Sequence, residues 1–457
     1  MIRQAFDKQE LALYVGRLRT QLGEDKLQQA ADRASQQIAG QGDAVAKLRA
    51  ALPSIDENYR PSSGGNEAGA PFLARDPMIS LIQSSLESKL RDKGAVDETP
   101  VDHSLFGEVA HTLERLLHPK RFTNTDPEWV SEIGEAMLDH LAKGNHAFNQ
   151  APARYEISDA ARIVVVGDWG TGLPRARAVA QLMALKVDEA RKQGRDAHVI
   201  HLGDVYYSGL PEEVERNVLP YWPVTPKQAT EGVTSWSLNG NHDMYGGGFG
   251  YFETLLGDER FGSQRSSDGN ATSFFQLTSP SWNFVGLDTS WDPDVLTFGK
   301  AGVLEAPQAD FVAAAASDAE RKLVLLSHHQ LTSVYDVEDI ADVLPSKLAP
   351  ILDPGRVTAW LWGHEHRCMA FNADHGVRFP RCLGNGGVPV LMNHAVGQAV
   401  PSPGAWEARG VLVEGGEHWA RFGFATLDVE GDRITIRYWD DQGSPALCSP
   451  THGEQIS

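Results

Sequence analysis

Six short apolar runs rich in β-forming residues constrain this chain more than any other feature: RIVVVGD, AHVIHLGD, SWSLNGN, WNFVGLD, KLVLLSHH and VTAWLWGH, spread from about residue 161 to residue 364. Several are continuous rather than alternating, which suits strands covered on both faces. A helix-type pattern from Arg175 to Gln193 separates the first two. Short buried strands alternating with helices predict an α/β layered domain. Near the C-terminus, FGFATLDVE and DRITIRYWD meet across Glu430-Gly431-Asp432 and read as a hairpin. No internal repeat of fixed period is present.

Five of the six runs end in residue types that can ligate metals. They close on Gly167-Asp168-Trp169-Gly170, Gly203-Asp204-Val205-Tyr206-Tyr207, Gly240-Asn241-His242-Asp243, Ser327-His328-His329 and Gly363-His364-Glu365-His366. In an open α/β sheet, ligands bind beyond the carboxyl ends of the strands. Five such ends therefore point at one crevice. The steps from Asp168 to Asp204 and on to Asn241 are 36 and 37 residues, a length that suits strand–helix–strand units. The glycines are expected to let the backbone turn sharply and pass close to a metal. A Gly-Asp by itself is usually a turn and an Asn-His pair a cap, so the order and spacing of the whole set carry the reading.

The first 150 residues read differently. Helical patterns cover about 5–38, 78–93, 104–117 and a stretch that opens at Asp126-Pro127, and residues 53–77 form a linker rich in Pro, Gly and Ser. This gives a helical region at 1–155 and a second domain at 156–457. The five scattered histidines of the helical region form no constellation. A net charge of -20 argues against a sequence-independent grip on nucleic acid or anionic membrane. A phosphorylated substrate remains compatible, because bound metals dominate the field of a small site. No run of about 20 apolar residues predicts a membrane span. No secretory h-region follows the start. Three cysteines are too few for a disulfide framework. Together these lead to a cytoplasmic expectation.

The motif set GDWG, GDVYY, GNHD, LLSHH and GHEH, in that order, resembles the calcineurin-like metallophosphoesterases, and among them the purple acid phosphatases. The context VVVGDWGTGLP is similar to the tartrate-resistant acid phosphatase branch. The resemblance covers about residues 161–370, with the C-terminal hairpin, and leaves out the N-terminal helices. It implies a four-layer α/β/β/α sandwich preceded by an all-helical region. It also implies two metals: the first on Asp168, Asp204, Tyr207 and His366, the second on Asp204, Asn241, His328 and His364, with Asp204 bridging. Most relatives place a metal-binding histidine where this chain has Gly170, and the Asp-x-x-Tyr spacing nominates Tyr207 to replace it. A phenol binds metal only once its proton is lost, and a highly charged cation drives that loss. Three anionic ligands on the first metal, against one shared on the second, favour Fe(III) beside a divalent ion: Zn, Fe(II) or Mn.

The chemistry so implied is phosphomonoester hydrolysis, with hydroxide from a metal-bound water as the nucleophile. His242 is expected to serve the leaving group. Asp243 either orients His242 or caps a helix, and His329 either contacts phosphate or is packed. His394 and Asp288 are weaker candidates, and the Gly-rich stretch 384–420 is expected to border the site. The expected partner is a phosphorylated small molecule. Two alternatives stand beside this: a phosphodiesterase acting on nucleotides or lipid head groups, and a docking or regulatory protein that associates through its N-terminal helices.

Overall fold

The computed structural model describes residues 144–205, 208–291, 302–334, 343–352, 354–390, 392, 394–414 and 417–457. The four N-terminal helices and the linker expected above lie outside the described residues. The chain divides into two compact units, one of Met1–His146, Tyr245–Gly248 and Pro293–Phe298, the other of Ala147–Met244, Phe249–Asp292 and Gly299–Ser457. In the first unit the His146 amide donates to the Gly247 carbonyl at 2.8 Å. The architecture below belongs to the second.

That second unit is mixed α/β, built on two large sheets and one small one. An eight-stranded sheet has the order β1 (Ala153–Glu156), β5 (Phe275–Thr278), β6 (Trp282–Gly286), β7 (Lys322–Ser327), β8 (Val357–Trp362), β10 (Phe379–Leu383), β9 (Cys368–Phe371) and β11 (Gly404–Glu407). A six-stranded sheet runs β16 (Glu454–Ile456), β15 (Arg433–Asp440), β14 (Gly423–Glu430), β2 (Ala161–Val166), β3 (Asp196–His201) and β4 (Thr234–Ser237). A ribbon of β12 (Val411–Glu414) and β13 (Glu417–Ala420) stands apart. The expected hairpin is β14–β15, paired from Gly423 and Asp440 to Glu430 and Arg433.

Alternation along the strands explains why the sheets stack. Ile163 and Val165 of β2, Ile200 of β3 and Trp236 of β4 share one core with Phe284 of β6, Val324 and Leu326 of β7 and Leu361 of β8. The intervening Val164, Val166 and Val199 are equally buried. They face the other side, where α1 (Pro174–Lys192) lies along β2 and β3. On the far side of the eight-stranded sheet, Leu323, Leu325 and Trp360 pack with Phe311 and Val312 of α2 (Ala306–Ser317) and with Leu348 of α3 (Val343–Leu352). Each fully buried side chain of this size contributes roughly 1.5–3 kcal/mol. Helix, sheet, sheet and helix thus form four layers.

Helix α1 begins at Pro174, whose missing N–H costs nothing at that position. It ends where Gly194 turns left-handed at φ 70°. There the Gly194 and Arg195 amides return to the carbonyls of Arg191 and Ala190, both at 3.0 Å. The reversal delivers the chain directly into β3. The three cysteines are free, with Cys368 and Cys382 buried. No helix among the described residues is long and apolar enough to cross a membrane.

Candidate metal centre

Strands β2, β3 and β4 are mutually parallel neighbours, and so are β7 and β8. Their carboxyl ends therefore lie together in each sheet. Asp168 follows β2, Asp204 follows β3 and Asn241 opens a single helical turn after β4, whereas His328 follows β7 and His364 and His366 follow β8. The crevice is thus assembled from both sheets. Asp168 Oδ2 accepts from the His364 amide at 2.7 Å, and the Gly167 amide donates to the Leu383 carbonyl at 3.0 Å, so the two sheets are joined at this end.

Two groups of donors converge. One ligand atom each from Asp204, His328 and His364 lies within 4.8 Å of the others, and the same holds for Asp168, Asp204 and His366. Asp204 belongs to both. Asn241 Oδ1 reaches the first group, 2.9 Å from His328 Nε2 and 3.0 Å from His364 Nδ1. The two imidazole nitrogens are 3.2 Å apart. His328 Nδ1 faces the Leu202 carbonyl at 2.9 Å; donating there leaves Nε2 as a lone pair in the neutral ring. An amide oxygen, a carboxylate and ring nitrogens thus aim lone pairs at one point, the donor chemistry of a cation site. Burial opposes charge on His328, but the carboxylates of Asp204 and Asp168 outweigh it and push the ring up to about 9. Burial likewise works against the Asp204 anion. The imidazoles of His328 and His242 prevail and hold it well below the usual carboxylate range.

The glycines that precede the donors act through the space they leave. A Cβ on Gly240 would sit 2.1 Å from Asp204 Oδ1, and one on Gly363 would sit 2.7 Å from Asp168 Oδ2. Of these glycines only Gly203 is left-handed, at φ 94°; positive φ falls also on the donors themselves: Asp168 at 56°, Asp204 at 70°, His364 at 66° and His366 at 54°. Left-handed backbone costs an L-residue roughly 1–2 kcal/mol, and such strain concentrates at functional sites. Gly170, by contrast, does need its freedom, at φ 131°. A Cβ there would point at Val218 and Val205, 3.2 and 3.4 Å away. The proposed substitute, Tyr207, and its neighbour Tyr206 lie outside the described residues.

The remaining candidates separate. The His242 ring is buried, and its amide donates to Asp204 Oδ1 at 2.9 Å. The Asp243 carboxylate accepts three backbone amides, those of Gly240 (2.7 Å), Val205 (2.9 Å) and Asp204 (3.0 Å). It clasps the second motif to the third rather than holding an imidazole. Burial and the nearby Asp204 push it up to about 7. His329 packs with its ring centroid 4.7 Å from that of His364 and 5.2 Å from that of His328. Its amide donates to the Thr289 hydroxyl, whose oxygen lies 3.0 Å from His329 Nδ1. Asp288 receives the amides of Ser290 and Trp291, both at 3.0 Å, the bonds of a turn former. His394 Nδ1 lies 3.1 Å from Glu407, a carboxylate also held by Arg367 and Arg409. It belongs to neither donor group.

Sequence reading overlooked Glu365, the residue between two donors. It is buried, with Oε2 accepting from Trp362 Nε1 at 2.9 Å and Oε1 accepting from the Ser333 hydroxyl. Nothing in the string GHEH distinguishes such a carboxylate from a solvent-facing spacer.

Residues 161–368 match the sequence model of the calcineurin-like phosphoesterase family. Among curated proteins, none matches the sequence. Solved structures with similar folds include an anchor of the inner membrane complex of Plasmodium, 12% identical, covering 65% of this chain and 89% of that one, with a TM-score of 0.43. A purple acid phosphatase from yellow lupin seeds is 14% identical over 62% of this chain and 52% of its own, at 0.43. A dimetal phosphatase from Danio rerio is 15% identical over 65% and 99%, at 0.42.

Proposed function

Starting from a calcineurin-like phosphoesterase domain at residues 161–368, we propose that the protein hydrolyses phosphomonoesters at a dinuclear Fe(III)–M(II) centre. One observation carries this reading: two buried donor groups that share Asp204, set where the strand ends of two sheets meet. When bound, the two cations neutralise the phosphoryl oxygens and make hydroxide available near neutral pH.

The chain's own residues do the rest. Asp168, Asp204, Tyr207 and His366 would hold the first ion, and Asp204, Asn241, His328 and His364 the second. The anion count favours a trivalent first ion and a divalent second one. The His242 backbone N–H donates a hydrogen bond to Asp204, the residue both groups share, and its imidazole would donate a proton to the departing alkoxide. Asp243 keeps the Asp204 and Asn241 loops in register by the three backbone N–H hydrogen bonds it accepts. His329 steadies the rings of His364 and His328, with Thr289 holding its Nδ1.

The test is metal analysis with a visible spectrum of wild type and Tyr207→Phe, beside turnover of p-nitrophenyl phosphate and bis(p-nitrophenyl) phosphate. The expected wild type contains iron, is coloured, and prefers the monoester, while Tyr207→Phe loses the band. A colourless, iron-free wild type with full turnover would overturn the iron assignment. Preference for the diester would overturn the monoester one.

A further inference from the structure

We propose that Glu365 is a positioning residue that sets the separation of the two metal positions. His364 belongs with Asp204 and His328, and His366 belongs with Asp168 and Asp204. Glu365 is the one residue between them. Both neighbours are held left-handed, His364 at φ 66° and His366 at φ 54°. Relaxing either one would swing an imidazole out of its group.

Glu365 blocks that relaxation. Oε2 accepts from the indole N–H of Trp362, at the end of β8 and wholly buried in the helix-side core. Oε1 accepts from the hydroxyl of Ser333, on the loop that leaves His328 and His329. The Glu365 amide closes a tight turn onto the Gly363 carbonyl at 2.8 Å. One carboxylate therefore ties the loop after β8 both to its own strand and to the loop after β7, and donors for both metals ride on the joined segment. Glu365 acts on the ligands through the chain they share, and outer contacts that fix a ligand's place commonly tune metal affinity 10- to 100-fold.

This inference rests on the two-metal reading. Zn2+ is titrated into the metal-free full-length chain by equilibrium dialysis, with the thermal midpoint of the metal-free form measured in parallel. Glu365→Ala is expected to bind Zn2+ on the order of 10- to 100-fold more weakly. Glu365→Gln, which still accepts from Trp362 and can donate to Ser333, is expected to stay within a few-fold of wild type. Wild-type Zn2+ affinity in the alanine variant, with or without a lower midpoint, overturns the proposal and reduces Glu365 to a fold contact. Equal weakening in both variants overturns it too. Should Glu365→Ala fail to fold, Ser333→Ala decides by removing one donor: weaker Zn2+ binding supports the proposal and unchanged binding sinks it. A wild type that holds fewer than two Zn2+ per chain would sink the two-metal reading itself, a separate outcome.

Discussion

Replacing Gly240 by alanine tests how closely the second and third motifs are fitted. The backbone at Gly240 is not left-handed, so alanine brings no conformational penalty of that kind. Its Cβ would lie 2.1 Å from Asp204 Oδ1 and 2.3 Å from the Asp204 nitrogen, whereas ordinary contact begins at 3.4 Å. One side must retreat by about 1 Å. Neither can do so freely, because Asp243 accepts from the amides of both Gly240 and Asp204. Overpacking of this kind costs roughly 1–3 kcal/mol, and a domain of this size loses roughly 2–4 °C in thermal midpoint per kcal/mol. Asp204 serves both donor groups, so a shift of about 1 Å is expected to lower turnover on the order of 100-fold. Gly397→Ala is the matched control: its Cβ meets nothing within 4 Å, and its backbone is not left-handed either. Thermal melting, bound metal per chain and p-nitrophenyl phosphate turnover are compared for the two variants. If Gly240→Ala behaves like Gly397→Ala in all three, the close approach of these loops is wrong.

Asp204→Ala is expected to lose activity together with at least one metal per chain, as counted by metal analysis. His242→Ala is expected to keep both metals, since its bond to Asp204 comes from the backbone, yet to turn over more slowly; unimpaired turnover would remove His242 from the mechanism. His198 supplies a pH test away from the donors. Burial holds its ring down to about 4, from 6.5, while Nδ1 faces the Thr234 hydroxyl at 2.7 Å. The folded state thus binds fewer protons than the unfolded chain between about pH 4 and 6.5. The stability this group contributes is complete above 6.5 and is lost as pH falls towards 4, by about 3 kcal/mol at roughly 1.4 kcal/mol per pH unit. Denaturant melts of His198→Leu should show a correspondingly flatter decline with acid; an unchanged slope would refute the account.

Much of the fold follows from local pattern. The continuous runs of β2, β3, β4, β6, β7 and β8, the helix between β2 and β3, and the β14–β15 hairpin are all legible, because each is long or apolar enough to be decided by its own residues. Strands β1, β5, β9 and β16 are not. They are three or four residues long and exist through the strands they pair with, as β16 does through β15. Tyr207 shows the reverse case: spacing nominates it strongly, and its position lies outside the described residues.

Within the site, residue type and order are enough to nominate Asp168, Asp204, Asn241, His328, His364 and His366, because metal donors must follow strands whose ends can converge. Their division between two sheets is invisible in a linear string, since a carboxyl end reads the same whichever sheet holds it. The direction of a short side chain is equally hidden. Asp243 could face an imidazole or a backbone, and three amides brought in from two loops settle which. Glu365 could face water or the interior, and the buried indole of Trp362 places it inside. Each choice also draws on partners well separated along the chain, Ser333 for Glu365 at 32 residues and Val205 and Asp204 for Asp243 at 38 and 39, whose positions are set only when both sheets close over their common core.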